Sequence, residues 1–194
     1  MAPFTYLLLI ANLLVFGLQL EAGDHFIRVF ALWPIGAGFA PWQVITYAFL
    51  HGNVAHIATN MFGLWMFGRD VERALGSMRF LWLYFASALT ASAAQLGITA
   101  MLHLHEPTVG ASGALFGVLA AFAMLFPQRI IILLFPPIPL PARVFVILYA
   151  LFELFSGVYG TQQGVAHFAH LGGLVGGFVI VRRWRRRRPR SASW

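Results

Sequence analysis

A serine and a histidine each stand at the head of a long apolar stretch: Ser112 in Gly110-Ala111-Ser112-Gly113, and His170 in Ala169-His170-Leu171-Gly172-Gly173. Nucleophilic catalysis needs an activated hydroxyl, and a histidine within hydrogen-bond reach supplies the base. Polar groups at membrane depth cost free energy in hydrocarbon, so a cluster of them points to a functional site. A helix N-terminus at Ser112 would also present free N–H groups to a developing negative charge. His56 and Asn60 lie four residues apart and so share a helical face. Both can donate hydrogen bonds, which suits an oxyanion site. Each motif also has a bland reading: G-A-S-G is a common packing surface of membrane helices, and His or Asn can serve as interhelical glue.

Of the six acidic residues only Glu153 falls inside an expected membrane segment, and none accompanies His170 in sequence. A Ser-His dyad is therefore expected, without a third acidic member. Phe116 follows Ser112 by one turn on the same face, where it can stack on the imidazole and hold its orientation. The histidines at 25, 51, 56, 103, 105, 167 and 170 all fall on one side of the expected membrane. There is no H-E-x-x-H, however, and no carboxylate stands at ligand spacing, so neither a metal nor another cofactor is expected. His167 reads as an interfacial helix cap, and His103 and His105 as a short wet loop. The chain has no cysteine, which removes thiol nucleophiles, thiolate metal sites and disulfides together.

The composition that must carry these residues is 60% hydrophobic and only 10% charged, with mean hydropathy +0.78. That is the balance of an integral membrane protein, not of a soluble domain. Six segments are apolar enough to span a bilayer, near 5–20, 54–68, 80–101, 110–126, 144–159 and 167–182. Their connections hold the arginines asymmetrically: twelve of thirteen lie on one face, and Arg28 alone lies on the other. By the positive-inside rule that face and both termini are cytoplasmic. The second, fourth and sixth segments then run inward, and His56, Asn60, Ser112 and His170 converge near the extracytoplasmic face. Gly113 and Gly117 on the fourth segment, with Gly173 and Gly177 on the sixth, form two small-residue stripes that let these helices approach closely.

The formal charge of +7 is concentrated in the tail, where seven arginines fall between Arg182 and Arg190. A basic cluster after a membrane helix is a topology anchor attracted to anionic lipid, so no nucleic-acid partner is expected. The first apolar run reads as a retained helix, because Met1 to Phe4 carries no basic side chain and no A-x-A site follows. The connection from Glu21 to Asn53, with Trp33 and Trp42, reads as interfacial. The proline-rich 127–143 connection cannot continue a helix and reads as a stiff cytoplasmic turn. No repeat or second domain is visible, and residues 1–194 read as one membrane domain with a basic tail at 183–194.

Taken together, the motifs G-A-S-G at 110–113, A-H-L-G-G-L-V-G-G at 169–177 and His51-Gly-Asn-Val-Ala-His56-Ile-Ala-Thr-Asn60 resemble those of the rhomboid intramembrane serine proteases in their compact six-helix bacterial form. The likeness extends to the long first loop and to the E-R-x-x-G-S turn at 72–77. It implies an all-α, polytopic bundle of six transmembrane helices. It makes Ser112 the nucleophile and His170 its base. His56, Asn60 and the Ser112 backbone N–H would then line the oxyanion hole, with Phe116 packing on the histidine. The implied substrates are transmembrane proteins cut in or beside a membrane helix, in the inner membrane of a bacterium, with the site near the extracytoplasmic face. One departure is Trp42-Gln43, where the family often has Trp-Arg, which removes an expected salt bridge from the first loop. Helix five and the following loop, about 144–166, would admit substrate and water, and Gly157, Gly160 and Gly164 suit mobility there. The competing reading is a catalytically inactive rhomboid-like protein that binds transmembrane helices; such relatives typically lose the serine or the histidine, and this chain keeps both.

Overall fold

The computed structural model of the chain describes residues 1–133, 136–160 and 166–186. Gly164 and the arginines after Arg186 lie outside the described residues. The architecture is a helical bundle. Helix α1 (Pro3–Ala22) and a short α2 (Asp24–Phe30) are followed by α3 (Gln43–Thr46) and a 3-10 turn at Tyr47–Phe49. A helix from Val54 to Leu75 comes next, built of α4 (Val54–Gly63), a π segment at Leu64–Gly68 and α5 (Arg69–Leu75). The remaining helices are α6 (Ser77–Leu102), α7 (Ser112–Leu125), α8 (Ala142–Tyr159) and α9 (His167–Arg186).

By length and composition α1, α6 and α8 are long and apolar enough to cross a membrane, and α7 is a shorter apolar helix. The other two expected segments are helical as well, in the Val54–Leu75 run and in α9. The expected end near 182 falls short, because α9 continues through Arg186 and carries four arginines into its last turns. Cations are favoured at a helix C-terminus, and their long stems can lie along apolar surface.

The bundle is closest where α6, α7 and α9 meet. Here the expected glycine stripes have a direct structural cause. A Cβ on Gly173 would collide with the Gly113 backbone carbonyl, and one on Gly177 with that of Gly117. Gly172 and Gly176 face α6 instead, where added methyls would meet Thr90. With no side chain at these positions, α9 lies backbone to backbone against α7. The resulting dispersion contacts replace a hydrophobic driving force that lipid cannot supply.

The Glu72-Arg73-x-x-Gly76-Ser77 turn holds a second junction. Glu72 is buried, and its carboxylate accepts from Phe4 N at 3.1 Å, Thr5 N at 2.8 Å, Thr5 Oγ1 at 2.7 Å and Ser77 Oγ at 2.7 Å. It satisfies two of the free N–H groups at the start of α1 and meets the positive end of that helix dipole. Gly76, at φ 84, makes the turn into α6. Nearby, Asp70 pairs with Arg129 at 2.7 Å and tethers α5 to the connection after α7.

That connection differs from the expected plain turn. Ile130–Ile132 pairs antiparallel with Pro139–Pro141, Ile131 opposite Leu140. The prolines end α7 and delay α8 as anticipated, but a strand of this kind tolerates them because a two-stranded pair has free edges. The isoleucines supply the β-favouring partner.

Candidate active site

Ser112 is the first residue of α7, after Gly110 and Ala111. Gly110 has φ 132, a conformation closed to side chains, and its N–H donates to Tyr47 O at 2.9 Å. The approach to Ser112 is thus tied to the first loop, which is also joined to it through reciprocal 2.9 Å bonds between Leu32 and Thr108. A Cβ on Gly110 would lie 2.8 Å from His56 Nε2 and 3.5 Å from Ser112 Oγ. The glycine is required because the histidine ring and the serine hydroxyl close around it.

From α9, the His170 ring brings Nε2 to 2.7 Å from Ser112 Oγ. Phe116 stacks on that ring with centroids 4.4 Å apart and planes 4° from parallel. Tyr149 of α8 packs against Phe116, the ring centroids 4.8 Å apart. The glycine-mediated approach of α7 and α9 is what brings a serine and a histidine 58 residues apart into hydrogen-bond range.

His56 and Asn60 stand one turn apart on α4. Asn53 caps that helix, its side chain accepting from His56 N at 2.8 Å, so the helix start and the ring position are fixed together. The His56 Nδ1 accepts from Gly52 N at 3.3 Å, which leaves Nε2–H as the free donor on the side of Gly110 and Ser112. Asn60 is 4% exposed, and its Nδ2 has no hydrogen-bond partner among the described residues. A buried amide donor without an acceptor is costly, and donors poised for a charge that forms only during reaction are of this kind. Behind them His51 is fully buried, its ring 5.1 Å from that of His56. Burial, and secondly the charge His56 would carry, push the His51 imidazole down to about 4, so it is neutral at physiological pH.

Two readings from the sequence need correction. Glu153 of α8 accompanies His170 after all: its Oε2 lies 2.8 Å from His170 Nδ1 and 2.7 Å from His167 Nδ1. His167 is accordingly no interfacial cap, being 4% exposed and bonded to that carboxylate. Spacing along the chain could not reveal this, because the three residues meet across the α8 and α9 contact. The usable signal was that Glu153 is the only acid within an apolar segment, which by itself demands a partner. Glu153, His167 and His170 each offer one ligand atom, all within 4.8 Å of one another, so a carboxylate and two imidazoles that could hold a divalent metal do exist here.

Gln43, standing where an arginine was expected, also has a structural answer. Its buried amide accepts from Trp33 N at 3.2 Å and Ala40 N at 3.1 Å, and donates to Val29 O at 3.2 Å and Gly38 O at 3.3 Å. Four neutral hydrogen bonds anchor the loop without an ion pair.

Comparison with known proteins adds a family to this geometry. A family model described as the Rhomboid domain matches residues 38–187. Rhomboid protein 1, mitochondrial, of Saccharomyces cerevisiae is 34% identical over 97% of this chain and 57% of its own length. The Bacillus subtilis rhomboid protease GluP is 32% identical over 72% of this chain and 25% of its own length. The Enterobacter rhomboid protease GlpG is 28% identical over 92% of this chain and 62% of its own length. The chain thus spans from a quarter to about three fifths of these relatives.

Proposed function

The chain belongs to the Rhomboid family of integral membrane proteins, and from that premise and the geometry around Ser112 we propose that it is an intramembrane serine endopeptidase. The observation that carries this reading is the 2.7 Å contact between His170 Nε2 and Ser112 Oγ at a helix N-terminus. Ser112 Oγ attacks the scissile carbonyl carbon as its proton passes to His170 Nε2. The carbonyl oxygen takes the electron pair and meets the Ser112 backbone N–H, His56 Nε2–H and Asn60 Nδ2–H. When the tetrahedral species collapses, the C–N bond breaks and the His170 proton goes to the leaving amine. A water then repeats the sequence on the acyl-enzyme, releasing the second product and restoring Ser112.

The substrates are transmembrane proteins cut in or beside a membrane helix. Such a helix has its backbone hydrogen bonds satisfied internally, so the segment must unwind before its carbonyl can reach Ser112. Helix-destabilising residues near the scissile bond lower that cost. The site lies toward the extracytoplasmic face, with both termini on the cytoplasmic side. Supporting this, the first turn of α1 is bonded to Glu72, between Arg69, Arg73 and Arg79.

The test is cleavage of a single-pass substrate in liposomes, with fluorophosphonate labelling read in parallel. Ser112→Ala and His170→Ala should each remove turnover, with little further loss in the double variant, because a coupled pair is disabled by losing either member. Wild-type protein that neither cleaves nor labels at Ser112 would instead mark a member that only binds transmembrane helices.

A further inference from the structure

We infer that Glu153 is a positioning residue of the catalytic group, selecting the tautomer of His170 and balancing its charge as the serine proton is taken up. The inference rests on the protease reading above. It makes the catalytic group a line of three side chains from three helices: Ser112 on α7, His170 on α9 and Glu153 on α8.

A carboxylate only accepts, so the 2.8 Å contact with His170 places a hydrogen on Nδ1. The lone pair is then on Nε2, the nitrogen 2.7 Å from Ser112 Oγ, which is the tautomer a general base requires. Phe116 fixes the plane of the ring but, stacked within 4° of parallel, does not choose which edge meets the serine. Glu153 makes that choice.

His167 holds the carboxylate in turn. Its Nδ1 donates to the same Oε2 at 2.7 Å, and its own Nε2 is buried without a partner among the described residues. Two N–H donors converging on one oxygen restrict the rotation of the glutamate. A carboxylate serving only to tie α8 to α9 would need one of these bonds, not a second one to the histidine that touches Ser112. Once His170 gains the serine proton it is an imidazolium in a site 8% exposed, where water screens little. Glu153, 2% exposed and one hydrogen bond away, is the available counter-charge. No proton needs to reach the carboxylate: it travels from Ser112 Oγ to His170 Nε2 and on to the leaving amine. The base is complete only while α8 is docked on α9.

The test uses the full chain in liposomes with a single-pass substrate, comparing Glu153→Gln and Glu153→Asp with wild type. Glu153→Gln keeps size and hydrogen bonding but loses the charge and the obligatory acceptor. Its kcat should fall about 100- to 10,000-fold with KM within about twofold, and fluorophosphonate labelling of Ser112 should slow in step. Glu153→Asp should recover at least about tenfold over Glu153→Gln, because the charge returns on a shorter stem. Melting temperatures read on the same samples separate folding from chemistry. The inference is overturned if folded Glu153→Gln keeps kcat within about threefold of wild type, or if the aspartate and glutamine variants lose activity equally. It is also overturned if EDTA removes wild-type activity and zinc restores it, since Glu153, His167 and His170 would then be metal ligands. Either result leaves Ser112 labelling in wild type intact, whereas absence of that labelling defeats the protease reading itself.

Discussion

His56 and Asn60 supply the finest test of chemistry against packing at the scale of single residues. They stand one turn apart on α4, with the His56 ring closing over Gly110 and the Asn60 amide nitrogen buried without an acceptor among the described residues. One donor lost from such a site costs roughly 1.5–4 kcal/mol of transition-state stabilisation. His56→Ala and Asn60→Ala should therefore lower kcat about 10- to 1000-fold while leaving serine labelling measurable, because the remaining donors persist. If both variants lose melting temperature while the folded fraction turns over at the wild-type rate, the two residues are interhelical glue. The residues around Ser112 were largely readable in the sequence because local motifs at helix ends carry them. Glu153 and its contacts with His167 and His170 were not. Their meeting depends on how α8 leans on α9, which leaves no fixed spacing to read.

Glycines set how closely α9 packs on α7. Apolar runs of near-bilayer length marked segments that are helical in the structure, since such a run has few alternative structures. Helix ends were less legible: α9 outruns its apolar stretch by a turn of arginines, and the Val54–Leu75 helix outruns the expected 54–68 segment, continuing through a π segment into α5. The pairing of Ile130–Ile132 with Pro139–Pro141 was missed because the prolines masked the isoleucine strand. What the glycine stripes did reveal was the approach of α7 and α9, and that can be measured. In Gly173→Ala the new methyl meets the Gly113 carbonyl, a backbone atom that cannot rotate away. Overpacking of this severity should cost about 3 kcal/mol or more and widen the Ser112 to His170 distance, so stability and kcat fall together. Gly97→Ala is the matched control on α6, with nothing within 4 Å of the added methyl. It should be neutral or stabilising by up to about 1 kcal/mol, as expected for a helix interior. Equal effects from the two substitutions would remove the close-approach argument.

For the whole molecule, on the proposed protease reading, the orientation in the membrane decides which face receives the cut. Twelve of thirteen arginines lie in the connections and tail assigned to one side, and Arg28 is alone on the other. Each arginine near an anionic leaflet gains about 1 kcal/mol, so seven between Arg182 and Arg190 outweigh a single opposing charge. Two junctions hold several of these connections together. Glu72 binds the first turn of α1, and Asp70 binds Arg129, so the chain start, the turn before α6 and the connection after α7 share one end of the bundle. At the opposite end Gln19 clasps His51 with bonds of 2.6 and 3.0 Å, and Leu32 pairs with Thr108 beside the approach to Ser112. Reporter fusions after Trp194 and before Met1 should therefore read cytoplasmic, and one in the 103–109 segment should read extracytoplasmic. Reversing the tail charges, with glutamate at Arg182, Arg183, Arg185 and Arg186, should weaken or scramble the C-terminal signal without touching the residues around Ser112. A wild-type C-terminal reporter on the extracytoplasmic side would invert the site and place Ser112 toward the cytoplasm. The expected substrates would then be those whose cytoplasmic helix ends unwind, and a pair of single-pass substrates with glycines at one end or the other would reveal it.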